Sequence, residues 1–329
     1  MLESRYFLRQ NLAIMLDPFS DFLSLMSARS IMSGGLVAGG AWAINFPRAD
    51  TVKFWGVVRG GCWLLFEDDK APIRIECGDV FLLCAPRAHV LGSDLEAKRV
   101  DLADVLEGRV GAVVHHGEGD EFFMIGGKVE LSAASSQFLL DALPPLIHVR
   151  ATSRQAQPLG WLLNQLVQER NEALPGAHIA SNQLAHLMFI QILRAHFATG
   201  EFQPAGWLRA LSDRRLVPVL QLMHGDPGRA WQLRELAQAA AMSRATFAAY
   251  FKTVAGMSPL SYLTKWRMHL AQRALLESRT HVNVLARSLG YSSESAFSNA
   301  FRRIVGRSPK DFRLQAVKEV ATEREVENQ

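Results

Sequence analysis

Three cysteines in 329 residues, Cys62, Cys77 and Cys84, are too few and too unevenly placed for a disulfide framework or a four-ligand zinc site. As buried strand thiols they would be inert; as redox sensors they would need a lowered pKa. Long apolar runs are missing too. The longest, Val80 to Pro86 and Leu187 to Leu193, fall far short of the ~20 residues that span a bilayer. The N-terminus, with Glu3, Arg5 and Arg9, lacks the basic-then-apolar pattern of an export signal. A cytoplasmic chain with no membrane partner is expected, and Met15 offers an alternative start. No phosphate-cradling glycine loop, nucleophile elbow or paired-carboxylate motif occurs. The expectation is therefore a chain that is not an enzyme, with no catalytic residues, no metal and no cofactor.

What is present is an ordinary globular balance, 49% hydrophobic and 21% charged, which supports a core and argues against global disorder. Charge, however, is unevenly spread. From Asp213 to Arg313 there are 13 Arg and 3 Lys against 3 Asp and 3 Glu, a surplus of 10 positive charges. The whole chain carries +4, so the remainder is acidic. A basic segment joined to an acidic one points to a polyanion partner for the basic part alone.

The pattern along the chain predicts an α+β multidomain protein. Residues 1–30 read as a mixed leader. Residues 31–134 carry short apolar runs of strand length (Trp42–Phe46, Val52–Val58, Cys62–Phe66, Ile73–Cys77, Val80–Cys84). Turn signals separate them at Arg59-Gly-Gly, Glu67-Asp-Asp-Lys, Gly78-Asp79 and Gly126-Gly127, which suggests an antiparallel sandwich or barrel. Over residues 135–206 the period turns helical. Trp161, Leu162, Gln165, Leu166 and Glu169 mark one amphipathic helix, and Ile179 to Phe197 a second. This pair suits a dimerisation or linker role, and a homodimer is expected. Glu201 to Gly206 reads as the linker to residues 207–316, with residues 317–329 as a tail. His178, His186 and His196 do not share a helical face at metal-binding spacing.

The basic region repeats itself. Leu236-Ala-Gln-Ala-Ala-Ala-Met-Ser243 parallels Leu285-Ala-Arg-Ser-Leu-Gly-Tyr-Ser292. One residue is inserted in the turn; thereafter Phe247 matches Phe297, Phe251 matches Phe301, Gly256 matches Gly306, and Ser258-Pro259 matches Ser308-Pro309. Each copy predicts a helix-turn-helix. A short helix (Leu233–Ala240, then Val282–Leu289) ends in a tight turn, left-handed at Gly290 in the second copy. A serine, Ser243 in the first copy and Ser292 or Ser293 in the second, caps the next helix. Phe247, Phe251 and Val254, and likewise Phe297, Phe301 and Ile304, form the stripe expected to be buried. Between the copies, Pro259 to Ser278 reads as one helix of roughly 30 Å. That is close to the ~34 Å of a duplex turn, so two recognition helices would enter successive major-groove segments.

The stretch Trp231–Arg313 resembles the AraC/XylS family of transcription regulators. The resemblance rests on Phe251-Lys-Thr-Val-Ala-Gly-Met-Ser-Pro, on Tyr262-Leu-Thr-Lys-Trp-Arg-Met, and above all on Ala286-Arg-Ser-Leu-Gly-Tyr-Ser-Ser-Glu-Ser-Ala-Phe-Ser-Asn-Ala-Phe-Arg-Arg. It implies a sequence-specific DNA-binding regulator that contacts two adjacent major-groove segments of double-stranded DNA. Its usual role is activation upstream of a promoter, with RNA polymerase as a candidate partner. On the first recognition helix the implied contacts are Ser243, Arg244, Ala245, Ala248, Ala249 and Lys252. The three alanines can touch a thymine methyl but donate no hydrogen bond. Arg244 and Lys252 suit phosphate. On the second helix they are Ser293, Glu294, Ser295, Ser298, Asn299, Arg302 and Arg303. Asn299 suits adenine, Glu294 could accept from cytosine or cap the helix, and the two arginines suit phosphate.

The β region resembles the cupin-type sensor half of such regulators, through Gly78-Asp-Val-Phe-Leu-Leu-Cys-Ala-Pro-Arg-Ala-His89, continued by Leu140 to His148 and the Trp161 helix. Metal-bearing cupins need a His-x-His on the strand that here reads Lys53-Phe-Trp-Gly-Val, and His115-His116 would point to opposite faces. The expectation is an apolar mouth lined by Trp42, Trp55, Trp63, Cys84 and His89, suited to a small-molecule effector. Two alternatives remain open from sequence: response through cysteine oxidation, and a cupin enzyme fused to a DNA-binding domain.

Overall fold

The computed structural model describes residues 17–49, 51–107, 111–131, 139–140, 142–172, 174–199, 206–277 and 280–315. The expected tail, most of the expected linker and the first sixteen residues of the leader lie outside these. Two compact units result: one holds residues 28–131 and 138–202, the other residues 1–27, 132–137 and 203–329.

The first unit is built on two β-sheets. Its strands are β1 (Arg29–Ala38), β2 (Ala43–Phe46), β3 (Val52–Arg59), β4 (Gly61–Phe66), β5 (Ile73–Glu76), β6 (Val80–Leu83), β7 (His89–Gly92), β8 (Arg99–Asp101), β9 (Val113–His116), β10 (Phe122–Glu130) and β11 (Leu146–Val149). One sheet has the order β11-β6-β3-β10-β1-β9 and the other β5-β4-β7-β2-β8. Alternation along the strands turns one face of each sheet inward. Leu36, Val57, Phe81 and Met124 from the larger sheet meet Ile44, Leu64, Phe66 and Leu91 from the smaller in one core. The helix α1 (Pro18–Met26) belongs to the other unit; α2 (Leu102–Leu106) follows β8, while α3 (Ala156–Glu172) and α4 (Ala177–Thr199) form a helical pair after β11. The five runs read as strands from sequence all pair.

The Gly126-Gly127 turn does not exist; both glycines lie inside β10. They are there because neighbours press on the strand, not because the chain bends. A Cβ on Gly126 would lie 2.2 Å from the Phe54 carbonyl oxygen and 2.5 Å from the Trp55 ring. One on Gly127 would lie 2.2 Å from the Ile31 carbonyl oxygen.

At the Gly78 turn, Asp79 is buried. Its carboxylate accepts from the Glu76 N–H at 3.0 Å and the Ala151 N–H at 2.8 Å, and faces His148 Nε2 at 2.8 Å. Burial alone would raise its pKa, but these contacts outweigh it and hold the carboxyl below its usual value. One side chain thus ties the β5–β6 turn to the end of β11.

The second unit is helical: α1 (Pro18–Met26), α5 (Trp207–Ser212), α6 (Val217–Gly225), α7 (Leu233–Ala239), α8 (Arg244–Ala255), α9 (Pro259–Glu277), α10 (Val282–Ser288) and α11 (Glu294–Val305). Part of the stretch read as a leader thus supplies α1. Asp17 caps α1 by accepting from the Ser20 N–H at 2.9 Å, and Pro18 sits at the first helical position. Phe22 is buried, its ring 4.3 Å from that of Trp207. Asp21 faces His224 Nδ1 at 3.3 Å, and His224 Nε2 lies 2.8 Å from the Tyr262 hydroxyl. A carboxylate only accepts, so the Nδ1 proton donates to Asp21 and Tyr262 donates to Nε2. His224 also stacks on Trp266 with ring centroids 3.8 Å apart. Burial lowers its pKa against the pull of Asp21, keeping the ring neutral.

Phe22→Ala is expected to cost the helical unit about 3 kcal/mol, in the range for emptying a buried aromatic site. Its thermal transition should drop while that of the β unit stays put; an unchanged helical transition would show that α1 is dispensable.

Candidate nucleic-acid interface

The two helix-turn-helix copies, α7–α8 and α10–α11, are built alike. Ser243 Oγ accepts from the Thr246 N–H at 3.2 Å, and Ser293 Oγ accepts from the Ala296 N–H at 3.1 Å, so Ser293 and not Ser292 is the second cap. Each recognition helix closes on a left-handed glycine, Gly256 at φ 73° and Gly306 at φ 85°, whose N–H reaches the carbonyl of Lys252 or Arg302 at 2.9 Å. Phe247, Phe251, Phe297 and Phe301 are fully buried.

The copies differ in two places. Val254 is buried as expected, but Ile304 is 36% exposed and Val305 packs inward instead. The reason is local: α5 packs against α8, and the Gly206 N–H bonds the Val254 carbonyl at 3.1 Å, whereas Ile304 has no such covering helix among the described residues. The second difference is in the turn. Gly290 adopts φ 81°, and its counterpart Ala241 adopts the same left-handed region at φ 53°. A β-carbon there is strained by roughly 1 kcal/mol.

Opposite the buried stripe, Arg244, Ala245, Ala249 and Lys252 are exposed on α8, as are Glu294, Ser295, Asn299, Arg302 and Arg303 on α11. Ala248 and Ser298 are half-buried, and Ser243 and Ser293 are exposed but engaged as caps. The expected contact residues thus share one side of each recognition helix. The α8 surface offers methyl groups and two cations; the α11 surface offers a carboxylate, hydroxyls, an amide and two guanidinium groups.

Sequence reasoning missed what fixes the two copies relative to each other. Arg267, midway along α9, donates from Nε to the Pro227 carbonyl at 2.5 Å and from Nη2 to the Arg229 carbonyl at 2.9 Å. Its guanidinium also lies 5.8 Å from the centre of the Tyr291 ring, in the turn of the second copy. Backbones touch beside it: a Cβ on Gly290 would lie 2.2 Å from the Gly228 oxygen, and one on Gly228 would lie 2.3 Å from the Ser288 oxygen. The loop entering the first copy is therefore keyed into the turn of the second. The Asp226-Pro-Gly228 turn signature lies outside the repeat, which is why the repeat gave no sign of it.

In the β unit, a cavity of about 710 Å³ is lined by Asn45, Phe46, Phe66, His89, Arg99 and Leu102 among others. Of the five expected pocket residues, only His89 lines it. Trp55 touches its wall through Phe46, with ring centroids 6.5 Å apart. Trp42 is buried against Phe122, and Trp63 lies on the other side of β4 from Cys62, under the Arg74 guanidinium. Cys84 is buried after β6. Burial pushes the Cys62 thiol up to about 12 and raises that of Cys84, so neither supplies a thiolate; Cys77 is exposed and donates to the Val58 carbonyl. Among the described residues no group of three or more His, Cys, Asp or Glu could hold a metal, and no helix is long and apolar enough to cross a membrane.

Residues 17–198 match a family model described as Cupin, and residues 236–315 one described as Helix-turn-helix domain. A Streptomyces antibioticus protein described as an AraC-like transcription regulator is 40% identical over 298 residues, covering 91% of this chain and 98% of that protein. The chain belongs to the AraC-like transcription regulators. This AraC-like regulator is also 29% identical to the HTH-type transcriptional regulator AlkR of Acinetobacter baylyi, over 84% of this chain and 92% of that one. Among solved structures, the DNA-binding domain of AdpA in complex with a target DNA is 33% identical, covering 30% of this chain and 87% of that chain, with a TM-score of 0.29. The AraC-like chain is thus a DNA-binding transcription regulator, with a cupin-type unit preceding its tandem helix-turn-helix unit.

Two outcomes are expected in the turns of the two copies. Ala241→Gly should raise stability by about 0.5–1 kcal/mol by relieving the left-handed alanine, while Gly290→Ala should cost more than about 2 kcal/mol through strain and the Gly228 clash. Thermal denaturation of the pair checks the opposite signs. Arg267→Ala should lose about 2 kcal/mol from its charged hydrogen bonds. It should also blunt the affinity loss caused by inserting one base pair, a rotation of about 34°, between the two contacted DNA segments. Equal sensitivity to the insertion in variant and parent would refute the clamp.

Proposed function

We propose that this regulator reads a specific duplex with α8 and α11 in successive major-groove segments, and that a small molecule taken into the β-unit cavity changes its affinity for DNA. The carrying observation is the keyed pair of recognition helices on α9. Nineteen residues of α9 span about 28 Å, near the ~34 Å between faces of the duplex that look the same way. Free rotation of the heads would forfeit that match; the Arg267 contacts oppose it.

The two copies have unequal tasks in this reading. Arg244 and Lys252 hold phosphate, and Ala245, Ala248 and Ala249 leave room for thymine methyls. Asn299 reads adenine through its amide, with Glu294, Ser295 and Ser298 beside it, while Arg302 and Arg303 hold phosphate. The chain acts as a homodimer and activates through RNA polymerase, and it performs no catalysis of its own. The cavity volume lies within the range of small-molecule sites and its wall is aromatic, which supports an effector there.

Arg302→Ala is expected to weaken binding to specific and random duplex alike and to lower the salt slope by about one. Asn299→Ala should instead relax preference at one base pair by about 1–3 kcal/mol. Salt titrations on a selected site and a scrambled one check this, and parallel losses for both variants would refute the division of labour. For the effector, Ala103→Trp at the cavity wall should abolish regulation in cells while leaving the DNA affinity of the purified protein unchanged. Regulation that survives this filling would remove the cavity from the mechanism.

A further inference from the structure

One end of the β unit holds polar groups without partners among the described residues. Lys53 on β3 lies directly opposite Lys128 on β10 and Leu83 on β6, on the inward face that it shares with Trp55 and Val57. Like charges facing across a strand pair destabilise it. Glu130 neutralises Lys128 at 2.7 Å. Lys53 has no ion pair or hydrogen bond among the described residues, although it is half-buried. Two residues along the same strand face, the Trp55 Nε1–H is buried without an acceptor among the described residues. Gly126 leaves the room in which that indole lies.

The smaller sheet faces these groups with a row across three strands, Phe46, His89 and Phe66 in register. His89 is 6% exposed and stacks on Phe46 at 5.0 Å between ring centroids. Its Nδ1 lies 3.3 Å from the Arg87 carbonyl, which can only accept, so the proton of the neutral ring sits there. Nε2 is then a bare acceptor, buried and without a partner among the described residues. Burial first, and then the nearby Lys53 charge, lowers its pKa to about 4, so the ring is neutral near pH 7. Phe46, His89 and Phe66 also line the cavity, where Arg99, Glu67 and Asp101 stand as well, Asp101 already accepting from Asn45.

We propose that this end of the β unit receives a hydroxylated organic acid: Lys53 and the Trp55 N–H take the carboxylate, His89 Nε2 accepts from a neighbouring hydroxyl, and Phe46 and Phe66 bound the apolar body. Each part answers one unmatched group. An uncompensated ammonium calls for an anion, a lone N–H for a second acceptor atom, and a buried imidazole acceptor for a donor that a carboxylate alone lacks. Aromatic walls favour a flat, apolar remainder. The proposal deepens the effector reading above and depends on it only for its biological use.

Calorimetry on the full chain tests it with 3-hydroxy-2-naphthoate, its methyl ester and 2-naphthoate. The hydroxy acid should bind at least tenfold more tightly than the ester and several-fold more tightly than the acid without hydroxyl. Lys53→Met should erase the acid-over-ester gap with the ester's own affinity unchanged, and Lys53→Arg should keep it. His89→Phe, which retains the stack on Phe46, should erase only the hydroxyl preference. The melting temperature of each variant shows that it is folded, and the arginine variant keeps the charge test available if the methionine variant is not. An ester that binds as tightly as the acid overturns the proposal, as does a gap that survives Lys53→Met, or no binding by any of the three. None of these outcomes touches the effector reading, which stands or falls with Ala103→Trp in cells.

Discussion

A protein that reads two stretches of one DNA face needs its two reading heads held at a fixed separation and a fixed rotation. A helix between them secures the first and not the second, because the loops at its ends can still swing. In this chain the second condition is met by the packing of α9 into the cores of both copies and, between their loops, by Arg267. Its planar fork ends on the carbonyls of Pro227 and Arg229 while its face lies toward Tyr291. A lysine could supply charge at that place but not the fork. Gly228 and Gly290 complete the lock because neither carries a side chain to hold the two loops apart. The capped recognition helices and their phenylalanine cores form locally; the lock bears on how their exposed polar stripes are set relative to each other.

The lock also shows why the two copies tolerate different turns. Gly290 must be glycine twice over, for its left-handed backbone and for the carbonyl against it. Ala241 meets only the first demand and bears it as strain. A repeat in sequence is therefore not a repeat in environment, and Val254 and Ile304 make the same point from the other end of the helix. One is covered by α5; the other is left partly in solvent.

Much of this was legible in sequence for physical reasons. Serine caps, left-handed glycines and phenylalanines one helical turn apart act locally, so their pattern survives in a linear string, and five of the strands show as short apolar runs between turn signals. What escaped was whatever depends on distant neighbours. Gly126 and Gly127 looked like a turn because glycine usually marks one; only the Trp55 ring and the Ile31 carbonyl explain them. The pocket was read from aromatic residues, yet Trp42 and Trp63 serve the core and an outer face. Arg267 was one cation among many in a basic helix. Its role exists only once two loops about forty residues away on one side and twenty on the other have folded against it.

The helix α1 has a further consequence for how the chain is made. It precedes the whole β unit in sequence, yet the partners of its Asp21 and Ser24, His224 and Arg273, stand 203 and 249 positions later. During synthesis, α1 leaves the ribosome long before the helices that bury Phe22 exist, and at about 5–20 residues per second it waits on the order of ten seconds or more for them. The whole β unit is completed within that interval. The helical unit is thus assembled from segments that flank the β unit in sequence, and fragments that begin after residue 202 lack one of its own helices.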